Sequence, residues 1–203
     1  MDAVFSSFAV QRARTLVRVA PPREGGLLDP TRTSGRLVEV SEQGYHGALT
    51  AVCGLLLAVQ QRGEPVAWVE AGTTVFFPPD LAFRGVDLAG VSVVLAPGAR
   101  ESLEAAETLL RSGAFGLVVL DGMAGAMEEA WLGRLARLAE DHRTTVLFLT
   151  RKRPDEAALG TLVSLRGAVV PVTGGVEVQV LKDKRSGPPS RERLCFHGPS
   201  GLY

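Results

Sequence analysis

From residue 35 onward the chain alternates short apolar runs with amphipathic stretches, each set off by glycine or proline. Residues 37–40 read as a strand that stops at a polar, glycine-containing loop, and residues 48–62 read as a helix ended by Gly63. "PVAWVE" at 65–70 reads as a second strand and "VSVVLA" at 91–96 as a third. "ARESLEAAETLLRSG" is an amphipathic helix with a stop at Gly113, and "LVVLD" at 117–121 is the fully apolar kind of strand that is buried on both faces. A helix over 128–142 sets Trp131, Leu135 and Leu138 on one face, and "TTVLFLT" gives another buried strand. Gly174 and Gly175 then separate two alternating runs, which predicts an antiparallel hairpin. The pattern is that of an α/β protein: a mainly parallel central sheet flanked by helices, with a C-terminal antiparallel hairpin. Residues 1–34 differ. "FAVQRARTLVRV" mixes arginine and glutamine with apolar residues and "APPREGGLLDPTRTSG" is broken by proline and glycine, so we read 1–34 as an N-terminal arm and linker and 35–203 as the core domain.

Composition narrows the class. With 203 residues, 46% of them hydrophobic, the chain buries a full core as one domain of ordinary size. Its 22 basic and 22 acidic residues cancel, which argues against a surface given over wholly to nucleic acid. Cys53 and Cys195 are far apart and have apolar neighbours, so they read as thiols buried in the core rather than a disulfide or metal framework. No metal and no cofactor is expected. Absence of a leader-like N-terminus or of an apolar run near ~18 residues points to a cytoplasmic protein with no membrane partner.

The first strand-to-helix turn sits where a phosphate-binding loop belongs. Such a loop needs G-x-x-x-x-G-K-[ST], because backbone amides cradle the phosphates, the lysine reaches the β and γ phosphates and the hydroxyl holds magnesium. Here Glu42 takes the first glycine position, Gly44 lies inside the loop, Gly47 survives, Ala48 replaces the lysine and Leu49 the hydroxyl. Thr50 points about 100° away around the helix. Both the lost lysine and the added carboxylate oppose a triphosphate. His46 reads as a polar loop residue. Asp121, ending the most apolar strand, is either a vestigial magnesium ligand or a turn aspartate; Glu70 ends its strand similarly. Finally, Arg151, Lys152 and Arg153 follow one strand, and Lys182, Lys184 and Arg185, with Arg191 and Arg193, crowd "LKDKRSGPPSRER". Only three of the chain's residues are lysines, so a pair of them is notable. These positions form either a partner- or DNA-facing basic edge or a solvated run.

In order and approximate spacing, "GRLVEV", "GVDL", "LLRSGAFGLVVLD", "TTVLFLT" and "VQVLKDKRSGPP" resemble the core of the bacterial recombinase RecA over about residues 35–197. The resemblance implies a RecA-like fold. It also aligns Gly72 with RecA's catalytic glutamate and Arg151 with its nucleotide-sensing glutamine. The counterparts of its two DNA-binding loops are short here ("DGMAGAMEEAWL" and "TRKRPDEAALG"). By the same analogy Lys182 and Lys184 match a pair that reaches a neighbouring protomer's nucleotide. Among shortened relatives the chain is most similar to the ImuA family of the damage-induced mutagenesis cassette. That likeness implies a non-catalytic adaptor in the SOS response that binds RecA, an ImuB-type inactive polymerase and an error-prone replicative-type polymerase, with weak or indirect DNA binding. An unconventional DNA-stimulated ATPase and a damage-induced cell-division inhibitor are the alternatives.

Overall fold

The computed structural model describes residues 26, 28–43, 47–72, 76, 78–173, 175–185 and 191–195. Asp29 caps a single helical turn, α1 (Pro30–Thr33), by accepting from the Thr31 N–H at 2.8 Å. There follow β1 (Leu37–Glu42), α2 (Gly47–Gln61), β2 (Val66–Ala71), α3 (Pro78–Phe83), a 3-10 turn (Leu88–Gly90), β3 (Val91–Ala96), α4 (Ala99–Arg111), β4 (Leu117–Asp121), α5 (Glu129–His142), β5 (Thr145–Arg151), β6 (Leu165–Val172), β7 (Gly175–Asp183) and β8 (Arg191–Cys195). The predicted strands and helices are present with their ends moved by a residue or two. Additions beyond the sequence pattern are α1, α3 and β8.

All eight strands form one sheet in the order β3-β2-β4-β5-β1-β6-β7-β8. From β3 to β6 every pairing is parallel; β7 and β8 add antiparallel. The two faces carry separate cores. Val38 and Val40 point to the side covered by α2 and α3, with Trp68, Val119, Leu147 and Val178. Leu37 and Phe148 point to the side covered by α4 and α5, with Leu103, Leu110, Leu132 and Leu135. Both faces being covered explains why β4 is apolar up to its last residue, Asp121, and why α2 is apolar on nearly every side: it is wedged against β1, β2, β6 and β7. α4 and α5 keep one polar face each because only one side meets the sheet.

Cys53 is fully buried in α2; the side chain of Cys195 lies outside the described residues. No helix among the described residues is long and apolar enough to cross a membrane. Among the same residues, no three His, Cys, Asp or Glu side chains are grouped so as to hold a metal.

Candidate functional site

The parallel strands end together on one side, where an open sheet presents its ligand crevice. Glu42 stands opposite Arg151, Glu70 opposite Asp121, and Asp121 opposite Leu149. Glu42, Arg151, Asp121, Glu70 and the start of α2 thus lie along one rim. At its centre the Ala48 N–H donates to Glu42 Oε2 at 2.8 Å. A helix N-terminus is electropositive and holds anions through its unpaired N–H groups. Here the chain's own carboxylate takes one of those N–H groups.

Packing reinforces this. A Cβ on Gly47 would lie 2.9 Å from Val176 Cγ1 and 3.1 Å from Val169 Cγ1, so the glycine serves close approach of α2 to the hairpin. Ala48 is buried and Leu49 packs against the same core. The hydroxyl one residue on, Thr50, accepts from Arg84 Nη2 at 2.8 Å. Gly44, with Tyr45 and His46, lies outside the described residues.

At the end of β2, Glu70 is buried and accepts from the Phe76 N–H at 3.1 Å. Gly72 has φ +59°, and a Cβ there would sit 2.8 Å from the Pro97 carbonyl oxygen. Backbone conformation and space both exclude a side chain, so Gly72→Glu is expected to destabilise the fold by more than about 2 kcal/mol. Urea unfolding checks this; an unchanged midpoint would mean that the turn relaxes easily.

The basic residues divide into two groups. Arg151 is exposed at the rim. Lys152 turns inward: its Nζ lies 3.2 Å from Glu39 Oε1 and donates to the Ala157 carbonyl at 3.1 Å. Arg153 is exposed and pairs with Asp155 and Glu156. Lys182 and Lys184 both donate to the Thr161 carbonyl, at 3.2 and 2.8 Å, while the side chain of the exposed Arg185 makes a long contact, 3.5 Å, with the Gly35 carbonyl. A bulge causes this arrangement: Arg166 is opposite Lys182 but Gly167 is opposite Val180, so Leu181 is the extra residue. Lys182 and Lys184 thereby face α5, and Asp183 faces the other side. Burial and the neighbouring Lys184 push the Lys182 ammonium below the usual lysine range. The Thr161 N–H, at 2.8 Å, holds the Glu129 carboxyl below its ordinary value against desolvation, helped by Lys184 and Lys182.

Sequence reasoning missed the group that organises this region. Glu39, in the middle of β1, is 0% exposed. It accepts from Thr150 Oγ1 at 3.1 Å and from the Leu159 N–H at 2.9 Å, and lies 3.9 Å from Arg166 Nε. Arg166 donates in turn to the carbonyls of Glu156 and Arg153. The segment between β5 and β6 is therefore tied to the sheet along its length. It is also tied to the segment between β4 and α5, through Met127 N–H to the Leu159 carbonyl at 2.8 Å. The available signal was a charge between Val38 and Val40 in a strand covered on both faces, where any charge must be paired.

The chain is similar to several proteins named RecA. It is 27% identical over 139 residues to that of Fusobacterium nucleatum, covering 59% of this chain and 36% of the relative. It is 33% identical over 97 residues to that of Caulobacter vibrioides, covering 47% and 27%. An alignment of 203 residues with that of Leptospira meyeri has 25% identity and covers 78% and 52%. The chain thus spans between 27% and 52% of the length of these curated relatives. No protein-family model matches it. A mainly parallel sheet between two helical layers, closed by an antiparallel C-terminal pair, together with these similarities, gives the chain a RecA-like α/β fold.

Proposed function

We propose that this chain is a RecA-like adaptor without ATPase activity. On this reading it acts in the cytoplasm during the SOS response to DNA damage, as ImuA-type proteins do. It binds RecA, an ImuB-type inactive polymerase or both, and through them an error-prone replicative-type polymerase, and so modulates recombination or translesion synthesis. The observation that carries the reading is the Ala48 N–H bonded to Glu42 Oε2 at 2.8 Å. A nucleotide phosphate bound there would have to displace a carboxylate, with no lysine at position 48 and no hydroxyl at position 49 to compensate. The residues present do not fit a magnesium–nucleotide complex. The tethering of both short loops supports the second part of the reading. Segments whose backbone bonds are already made inside the protein are poorly suited to reorganise around a DNA strand, which favours a protein partner over direct DNA binding.

Two measurements test this. Titration with ATP and magnesium, with and without DNA, is expected to give no saturable heat; magnesium-dependent binding tighter than ~100 μM would overturn the non-catalytic reading. Purified protein is expected to co-elute with RecA or with a subunit of the mutagenesis complex and to alter RecA strand exchange. If it associates with none of them, the adaptor reading falls.

A further inference from the structure

The three lysines of the chain sit in two different settings. Lys152 lies 3.2 Å from Glu39 Oε1, donates to the Ala157 carbonyl, and has a side chain only 10% exposed. Lys182 and Lys184 instead converge on one uncharged acceptor, the Thr161 carbonyl, at 3.2 and 2.8 Å, and among the described residues neither is ion-paired. Two ammonium groups therefore crowd a single oxygen. The bulge at Leu181 sets both on the side of α5, with Lys182 partly buried and Lys184 exposed. An amine taken partly out of water beside a second cation is the arrangement that makes lysine a nucleophile, because both features disfavour the charged form and free the lone pair. Burial first, then the charge of Lys184, hold the Lys182 ammonium below the usual lysine range; Arg166 adds to the lowering, and Glu39 and Glu129 oppose it.

We propose that Lys182 is a site of covalent acylation, its amine taking an acyl group from an acyl phosphate. The neutral amine attacks the acyl carbon, and a C–N bond forms as the C–O bond to phosphate breaks. Phosphate leaves with the electron pair of that bond, and the surplus proton on nitrogen passes to water. The class of donor follows from charge. Around this nitrogen Lys182, Lys184, Lys152 and Arg166 stand against the carboxylates Glu39 and Glu129, so the surplus is positive and draws an anionic donor. Lys184, bonded to the same carbonyl, places a positive charge beside the oxyanion that forms during attack. Lys152 is enclosed and already engaged by Glu39, so it is the unreactive internal reference. Acylation removes one of the two charges crowding the Thr161 carbonyl. Relief of that repulsion favours one adduct on the pair.

Acetyl phosphate added to the whole chain at about pH 7.5, with the modified lysines read by peptide mass spectrometry, is the test. Lys182 is expected to be acetylated at least about fivefold faster than Lys184 or Lys152. Competitive labelling with trace acetic anhydride between about pH 7 and pH 11 should give a Lys182 rate that levels off below the ordinary lysine value of about 10.4. Lys184→Met, at an exposed position, is expected to slow acetylation of Lys182 at least about twofold while circular dichroism stays native. Lys184 or Lys152 reacting as fast as Lys182 overturns the proposal. So does a Lys182 rate that levels off at or above the ordinary lysine value, or one indifferent to Lys184→Met.

Discussion

Glu39→Leu is expected to lower the unfolding free energy by about 3–5 kcal/mol, the cost of removing one partner from a buried charge group. Leucine fills the space, but Lys152 and Arg166 are left in the interior without their carboxylate, and the Leu159 N–H without its acceptor. Adding Lys152→Met should restore part of the loss, because the second change removes one stranded charge. A double-mutant cycle then reports the coupling. The effect is also local. Amide exchange at Leu159 and Met127 should accelerate more than in the centre of β4, since these two N–H groups depend on the tether. Wild-type stability for Glu39→Leu would mean that the segment between β5 and β6 holds without the carboxylate.

Asp183→Asn is the second large effect, again about 3–5 kcal/mol near neutral pH. Its carboxylate is fully enclosed, 2.6 Å from Arg36 Nη2 and 2.8 Å from Arg32 Nη2, and it accepts from the Arg185 N–H at 2.9 Å. Burial alone would raise its pKa. Hydrogen bonds from Arg36, the Arg185 N–H and Arg32, with the charge of Arg36, outweigh burial and hold the carboxyl far below the usual range. A carboxyl depressed in the folded state stabilises the fold fully above its unfolded pKa of about 3.9. That contribution is lost as pH falls below this value, because the unfolded state binds the proton first. Stability should therefore fall between roughly pH 4 and pH 2 in wild type and more shallowly in Asp183→Asn. Equal acid slopes in the two proteins would contradict the assignment.

The framework was readable because its signals are local. The apolar runs at 66–71, 117–121 and 145–151, the glycine stops after α2 and α4, and the paired glycines of the hairpin each act within a few residues. The rim was readable in outline: Glu42 at the end of β1 and Asp121 at the end of β4 lie where the pattern placed them. What Glu42 does was not, since its bond to Ala48 depends on the path of an intervening loop. The lysine pair illustrates a different limit. In sequence, Lys182, Asp183 and Lys184 look like a patch, yet strand alternation turns the aspartate away from both lysines, and the bulge at Leu181, which no local signal marks, decides which face each takes. Glu39 was missed for a related reason. Its partners are more than a hundred residues away, and a lone charge in a strand reads as a solvent-facing position until both faces are known to be covered.

The short turn α1 bears on where this chain can be cut. Reading the core as beginning at residue 35 follows the composition, but Arg32 reaches Asp183, the Thr145 hydroxyl meets that of Thr33, and Leu28 is buried. A recombinant fragment starting at residue 35 keeps Arg36 and discards Arg32, so the enclosed carboxylate loses one of its two guanidinium partners along with the cover over the end of β5. A fragment starting at residue 28 keeps all of these contacts. Truncation mapping of any partner-binding arm should therefore begin upstream of Leu28, because loss of binding in a shorter fragment would report a damaged core instead of a missing interface.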